Sequence, residues 1–148
     1  MARFLIFAGL LVLGATHAVG GEIRSALTGR WTVTGTADAQ ETTSLSSDEV
    51  DKLTGTELVV TAESVRFSNE TCDKPIFMLT RHSTASFFRR EYKIDPIHLR
   101  LPHLVTEIEI VCQAPSPISF VYFKDKRHVV FFWKGFFLNA EKRIEGKP

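Results

Sequence analysis

The acidic residues whose spacing could support chemistry are Glu107 and Glu109. They lie two apart in a segment that alternates polar and apolar residues, so on a strand their carboxylates would share one face about 7 Å apart. That separation is within the range used by the carboxylate pairs of glycosidases. Glutamates at this spacing are also common on the solvent face of a strand, and this simpler interpretation is the one we favour.

Basic and metal-binding residue types give no sharper signal. His98 and His103 are five apart with Pro102 between them, a spacing that does not place two imidazoles on one face of a helix or strand. Arg89, Arg90 and Lys93 could meet an anion, although a solvated basic edge that discourages strand pairing is the simpler interpretation. Gly-x-Ser-x-Gly, His-Glu-x-x-His, Cys-x-x-Cys and phosphate-binding glycine loops are absent from the sequence. We therefore predict no catalytic residue, metal ion or cofactor.

The only two cysteines are Cys72 and Cys112. Neither has a histidine or a second cysteine at a metal-binding spacing, which leaves a structural disulfide as the favoured interpretation. Such a bridge closes a long loop, and the chain-entropy model assigns it about 4 kcal/mol of stabilisation.

The N-terminus has the layout of a secretory signal peptide. Arg3 supplies a positive start, an apolar run of eleven residues follows over 4–14, and small residues come next. We predict a signal peptide over residues 1–18, with cleavage after Ala18 or alternatively after Gly20, and an exported protein in the periplasm or outside the cell. No later apolar run reaches the roughly 20 residues that span a membrane, so no membrane span is expected after cleavage.

The mature chain, 19–148, is long enough for one domain with a core of its own. Cleavage removes Arg3 from the 18 basic residues and none of the 17 acidic ones, so 17 of each remain and the formal charge is zero. Proteins that bind nucleic acid owe much of their affinity to basic side chains on phosphates. Nucleic acid is therefore not expected as a partner.

The organisation of the chain is typical of an all-β protein. Trp31 and Val33 alternate with threonines, and further runs of β-prone residues predict strands with turns at Ala62-Glu63 and Asp125-Lys126. The predicted strands are 58–61, 64–68, 76–81, 87–92, 105–112, 118–124 and 128–133, in addition to the one around Trp31. One short helix is expected near Ser47–Leu53, with Ser46 or Ser47 as its N-cap and Gly55 beyond its end. We predict a small antiparallel barrel of about eight strands, because closure removes exposed edges.

Aromatic residues are concentrated near the C-terminus, with eight of the fourteen mature aromatics in the eighteen residues 120–137. Consecutive aromatics on a strand point to opposite faces, so either both faces are covered or one face carries an exposed apolar surface. The exposed alternative would suit a ligand or a protein partner. The residues predicted to bind on that alternative are Phe120, Tyr122, Phe131, Trp133 and Phe136.

The segment Gly29-Arg30-Trp31 resembles the Gly-x-Trp opening of the lipocalin and avidin (calycin) group of barrels. The resemblance covers the six residues 27–32. It implies a small β-barrel in which the Trp closes one end and packs against a basic residue near the C-terminus. Trp31 and Arg143 would fill these structural roles, with Arg30 as a second basic neighbour. The chain lacks the polar residues after the motif that contact biotin in avidins, so biotin is not implied.

These observations predict an exported, non-catalytic binding module. The favoured ligand is a small apolar molecule bound in or beside the barrel, which would need a cavity lined by residues such as Phe120, Tyr122 and Trp133. The first alternative is a protein-binding inhibitor or immunity-type protein that acts on a secreted hydrolase, with a filled interior and a protruding patch. The second alternative is an uncharacterised enzyme, with polar groups that converge in a cleft.

Overall fold

Nine antiparallel strands form one curled sheet, a half-barrel, in the computed structural model, which describes residues 18–114, 118–144 and 146. The all-β prediction is confirmed, with a half-barrel in place of a closed barrel. The strands are β1 (Gly29–Ala39), β2 (Glu57–Val60), β3 (Ser64–Phe67), β4 (Glu70–Asp73), β5 (Ile76–Ser83), β6 (Leu104–Val111), β7 (Phe120–Phe123), β8 (His128–Trp133) and β9 (Phe136–Lys142). The helices are α1 (Ala18–Leu27), α2 (Ser47–Asp51), α3 (Thr84–Glu91) and a 3-10 helix (Pro96–Leu99).

The strand order explains why the sheet curls. The order is β4-β3-β2-β1-β9-β8-β7-β6-β5, so β4 and β5 are opposite edges although only Lys74 and Pro75 separate them in sequence. Cys72 on β4 is bonded to Cys112, which follows β6, with the two Cα atoms 5.7 Å apart. The short connection and the disulfide hold the two edges of the sheet together at one end. The predicted disulfide is therefore confirmed, and it joins distant parts of the sheet.

The concave side of the sheet holds the larger hydrophobic core. Inward residues alternate along β1, where Trp31 and Val33 are both fully buried. The strand then shifts register against β9 between Val33 and Gly35, and Gly35 adopts a φ of 146° that favours glycine. The buried residues of this interior core also include Leu58, Val65, Phe67, Ile108, Val121, Phe131, Trp133 and Leu138.

A second core lies on the convex side, between the sheet and α3. Phe87 and Phe88 of the helix are buried against outward side chains of β6 to β9, among them Tyr122 and Phe137. The strand predicted over 87–92 is therefore wrong, because this segment is helical. The Phe-Phe-Arg-Arg pattern fits a helix that buries two adjacent aromatics and exposes Arg89, and packing against the sheet decides between the two structures.

The predicted short helix and the two predicted turns are confirmed, and α1, α3 and the 3-10 helix are present in addition to that one expected helix. The short helix begins after Ser46, whose hydroxyl accepts a hydrogen bond from the Glu49 amide while the Glu49 carboxylate accepts one from the Ser46 amide. The turn at Ala62-Glu63 connects β2 and β3, and the turn near Asp125 connects β7 and β8. β4 and β9 were not predicted as separate strands. Residues 1–17 of the signal peptide predicted over 1–18 lie outside the described residues, as do Pro115 and Pro117, which predict a turn between the strands 105–112 and 118–124.

Within the described residues no helix has the length and apolar character needed to cross a membrane.

Candidate functional site

The predicted binding aromatics are divided between the two cores. Phe131, Trp133 and Phe136 point into the interior core, and each is at least nine-tenths buried. Tyr122 is fully buried on the opposite face of the sheet, where Phe120 is partly buried beside it. The five residues therefore do not line one site, because both faces of the β7–β8–β9 region are covered. This placement favours a packing role, and their role in binding stays a prediction.

Trp31 lies at the end of the half-barrel that α1 covers. Its side chain is fully buried, and its Nε1 donates a hydrogen bond of 2.8 Å to the carbonyl oxygen of Leu27 at the end of that helix. The cation over its ring is Lys142, with Nζ 5.2 Å from the ring centroid. Arg143 and Arg30 both bind the Glu57 carboxylate instead, at 3.0 and 2.9 Å. The expected basic neighbour of Trp31 is thus supplied by the residue before Arg143.

Glu107 is the clearest departure from the sequence-based interpretation. It was expected on a solvent face with Glu109, but its side chain is buried under α3, while Glu109 remains partly exposed. The Glu107 carboxylate accepts a 2.7 Å hydrogen bond from the Tyr122 hydroxyl and lies 3.1 Å from His82 Nε2. The Tyr122 hydroxyl also shares a 2.6 Å hydrogen bond with the Tyr92 hydroxyl. These four side chains, His82, Glu107, Tyr122 and Tyr92, form one polar network.

The polar side chains of this network form hydrogen bonds with one another. Burial raises the pKa of Tyr92 to about 12, and burial together with the nearby Tyr92 raises the pKa of Tyr122 well above its ordinary value. The His82 ring is stacked on Phe87 of α3, with centroids 3.8 Å apart. Because the carboxylate and both hydroxyls are hydrogen-bonded under the helix, the network can anchor α3 to the sheet. A strand pattern alone does not reveal it, since α3 was expected to be a strand.

The other titratable residues considered in the sequence are dispersed. Arg89 pairs with Asp95 and Arg90 with Glu91, so these arginines have carboxylate partners. The described ranges contain no group of three or more histidine, cysteine, aspartate or glutamate side chains that could hold a metal ion.

An apolar cleft of about 510 Å³ opens at the α1 end of the half-barrel. We call it the end cleft. One wall is α1, including Ala26, and the opposite wall is formed by Phe123 of β7 and the turn that follows it. The full lining is Glu22, Ser25, Ala26, Thr106, Phe123, Asp125, Lys126 and Lys142. Most of the surface of this cleft is apolar, although Glu22, Asp125, Lys126 and Lys142 carry charges.

The helix that closes the end cleft is fixed to the sheet at its C-terminal turn. Lys142 Nζ donates a 2.7 Å hydrogen bond to the carbonyl oxygen of Ala26, and Leu27 is fully buried. Further back on the helix, the Arg24 guanidinium lies 5.3 Å from the centroid of the Phe77 ring. The wall residues come from α1, β6, the β7–β8 region and β9, so no local sequence pattern could have identified this site.

Comparison with models of known protein families finds no match. A comparison with curated protein sequences finds none either, and the same holds for solved structures. The functional assignment therefore rests on the geometry of the chain itself.

Proposed function

We propose that this protein is an exported, non-catalytic binding module that holds a small apolar ligand in the end cleft. The observation that carries the proposal is the mainly carbon surface of a concave site at the mouth of the half-barrel. Small-molecule sites are usually concave and lined largely by apolar groups, with a few polar groups that fix orientation. The volume of about 510 Å³ is within the range of such sites.

The interior of the sheet is a weaker candidate because aromatic side chains fill it. Phe67 makes edge-to-face contacts with Phe131 and Trp133, with ring centroids 5.0 and 5.4 Å apart. All three are buried in one continuous core. A ligand beside the sheet, at its end, therefore suits this chain better than a ligand deep inside it.

The charges of the lining favour an uncharged ligand. Glu22 and Asp125 supply two carboxylates, while Lys126 and Lys142 supply two ammonium groups, so the formal charge of the lining is zero. The Lys142 ammonium is already engaged with the Ala26 carbonyl and the Trp31 ring. The cleft thus offers carbon surface without a net charge, and a neutral alkyl or aromatic molecule fits this chemistry.

Binding of a neutral apolar dye tests this proposal. Purified mature protein is titrated with N-phenyl-1-naphthylamine, and we expect saturable fluorescence enhancement at one site. Ala26→Trp places a large side chain into the cleft and should abolish the enhancement. The matched control is Ala85→Trp, an equal change at an exposed position of α3, far from the cleft lining. Equal dye binding by the wild-type protein and the Ala26→Trp variant would overturn the proposal, provided that both are folded by circular dichroism.

Export is supported by the leader pattern and by the disulfide, because disulfides persist mainly in oxidising compartments. Cleavage after Ala18 would remove one residue of α1 from the mature chain, and cleavage after Gly20 would remove three. Intact-mass measurement of natively exported protein tests this part. We expect a mature chain that starts at residue 19 or 21 and carries the bridge. A retained leader or two free thiols would contradict it.

The alternative function, binding of an exported protein, is favoured by the edge strand β5. Ile76 and Met78 are 61% and 52% exposed on this strand, and Val111 beside them is also exposed. On this alternative, an extended segment of the partner would pair with the free edge of β5 and cover these side chains. A purified partner should then lose affinity for an Ile76→Lys, Met78→Lys variant and keep it for Arg66→Lys. Unchanged affinity for the first variant would exclude this edge.

A further inference from the structure

Two basic residues meet on the convex side of the sheet, next to the end cleft, with which this region shares the lining residue Asp125. Arg100 follows the 3-10 helix, and Lys124 follows β7. Together with Asn139 of β9 they line a cleft of about 610 Å³ and an adjoining cleft of about 260 Å³. Because the two clefts share these three residues, they form one continuous depression, which we call the outer groove.

Neither cation of the outer groove has a carboxylate partner among the described residues. Several other arginines are paired with carboxylates, as Arg89 is with Asp95 and Arg127 is with Glu141. The larger cleft is lined by neutral groups besides the two cations, namely Thr36, Ala37, Ile97, His98 and Asn139. With the histidines neutral, the formal charge of the larger cleft is therefore +2, and Asp125 of the smaller cleft brings that of the whole groove to +1.

The acidic residue at the far end of the groove is already engaged. The Asp125 carboxylate accepts hydrogen bonds from the backbone amides of Arg127 and His128, at 2.7 and 2.9 Å. The imidazole of His128 lies 2.9 Å from the same carboxylate. Asp125 thus closes the β7–β8 turn and does not form an ion pair with Lys124.

The two cations act on each other. Burial lowers the pKa of Lys124, and the positive charge of Arg100 lowers it further. Lys124 Nζ donates a 2.6 Å hydrogen bond to Asn139 Oδ1, which holds the ammonium in the groove. The charge of Asp125 acts on the pKa of Lys124 in the opposite direction and offsets part of this lowering. The two cations still outnumber the single carboxylate of the groove, so an anion bound between them would relieve their repulsion.

The segment that carries Arg100 is held in place by packing and hydrogen bonds. Pro96 and Leu99 of the 3-10 helix are buried, and the Asp95 carboxylate accepts a 3.2 Å hydrogen bond from the Ile97 amide. Arg100 then adopts a left-handed conformation with a φ of 50°, which redirects the chain at the groove wall. The cation is therefore carried on a fixed turn.

We propose that the outer groove binds a small hydroxylated anion, such as a sugar that carries a phosphate or a carboxylate. Arg100 and Lys124 would bind the anionic group, since guanidinium and ammonium groups are the usual partners of these oxyanions. Thr36, His98 and Asn139 supply the neutral polar groups for the hydroxyls. This ligand differs from that of the end cleft, where the lining has no net charge, and the two sites share only Asp125.

Isothermal titration calorimetry at constant ionic strength tests the proposal and distinguishes a phosphate from a carboxylate as the anionic group of the ligand. The ligands are glucose 6-phosphate, glucuronate, inorganic phosphate and glucose. We expect saturable binding of at least one of the two anionic sugars and none of glucose. Inorganic phosphate should bind more weakly than glucose 6-phosphate, and equal affinity would overturn the assigned hydroxyl contacts. If neither anionic sugar shows saturable binding, the proposed site is wrong.

Variants locate the binding. Arg100→Asn removes the charge and suits the left-handed backbone, and Lys124→Met keeps the aliphatic stem. Each should weaken binding at least tenfold while the protein stays folded, and either variant suffices if the other does not fold. Arg66→Ala removes one exposed charge of β3 and should leave binding unchanged, as should Ala26→Trp in the end cleft. A similar loss of affinity in Arg66→Ala would show that the anion is attracted only by the general charge of the protein, which would contradict the proposed site.

Discussion

Tyr92 and Tyr122, the only two tyrosines of the chain, join their hydroxyls in a hydrogen bond of 2.6 Å. Tyr92 lies at the end of α3 and Tyr122 on β7, so this bond connects the outer helix to the sheet. The Tyr122 hydroxyl also donates to the buried Glu107 carboxylate. Because no other tyrosine is present, the ionisation of this pair can be followed without labels.

Ionisation of Tyr92 and Tyr122 should destabilise the packing of α3 on the sheet at alkaline pH. Both pKa values are raised in the folded protein, that of Tyr92 to about 12, mainly by burial. The folded state therefore binds more protons than the unfolded state above pH 10, and stability falls as the pH rises from about 10 towards 12. The Tyr92 shift corresponds to about 3 kcal/mol.

Absorbance at 295 nm measures this directly. In native buffer we expect no phenolate signal until the pH is well above 10, and in denaturant a midpoint near the ordinary value of about 10. Tyr92→Phe should reduce the pH dependence of the unfolding free energy above pH 10. A native midpoint equal to the denatured one would contradict the buried pair.

Replacement of the buried glutamate should cost more than replacement of its neighbour on the same face. Glu107→Ala removes the acceptor of Tyr122 and the partner of His82, and it leaves a gap under α3. We expect a loss of about 1 to 3 kcal/mol in the free energy of unfolding. Glu109→Ala is the matched control, and a change of within about 0.5 kcal/mol is expected there. Equal losses in urea denaturation would show that the network contributes nothing to stability.

Substitution by phenylalanine should change the free energy of unfolding by different amounts at the two tryptophans. Trp31 Nε1 donates to the Leu27 carbonyl, whereas Trp133 Nε1 is buried and has no hydrogen-bond partner among the described residues. Trp31→Phe loses a buried hydrogen bond, and Trp133→Phe removes an unpaired donor. We expect Trp31→Phe to cost about 1 to 3 kcal/mol more than Trp133→Phe. Thermal or chemical denaturation of both variants checks this, and the reverse order would contradict the assigned roles.

Removal of the disulfide should destabilise the whole sheet, since it joins β4 to the segment after β6. A Cys72→Ala, Cys112→Ala variant should lose about 2 to 5 kcal/mol, the usual cost for a small secreted domain. Denaturation of the wild-type protein with and without reductant gives a second measurement. A reduced protein as stable as the oxidised one would exclude this role of the bridge.

Patterns among neighbouring residues predicted much of the local structure. The alternation around Trp31, the turn at Ala62-Glu63 and the Ser46 capping box each depend on neighbouring residues, and all appear in the structure. The segment 87–92 could not be assigned in this way. Its aromatics suit a strand or a helix equally, and only the outer face of the sheet, formed by strands later in the chain, makes the helix favourable.

The candidate sites depended on contacts that the sequence does not display. The aromatic density over 120–137 correctly raised the possibility that both faces of these strands are covered, but it could not place α3 over one of them. The end cleft combines α1 with Lys142, more than a hundred residues apart in sequence. Arg100 and Lys124 lie on separate connections, and only the fold brings them into one groove.

Contact quenching of Trp31 tests the proposed apolar site most directly. The Phe123 ring of the end cleft lies 6.3 Å from the Trp31 ring, whereas Trp133 lies in the interior core beside Phe67. In a Trp133→Phe protein, Trp31 is the only indole, and 10-bromodecanol bound in the cleft would bring its bromine close enough to quench it. We expect saturable quenching there, no quenching in a Trp31→Phe protein, and loss of quenching in the further variant Ala26→Phe, which fills the cleft without adding an indole. Equal quenching of the two single-tryptophan proteins, or no quenching of Trp31, would contradict the proposed site.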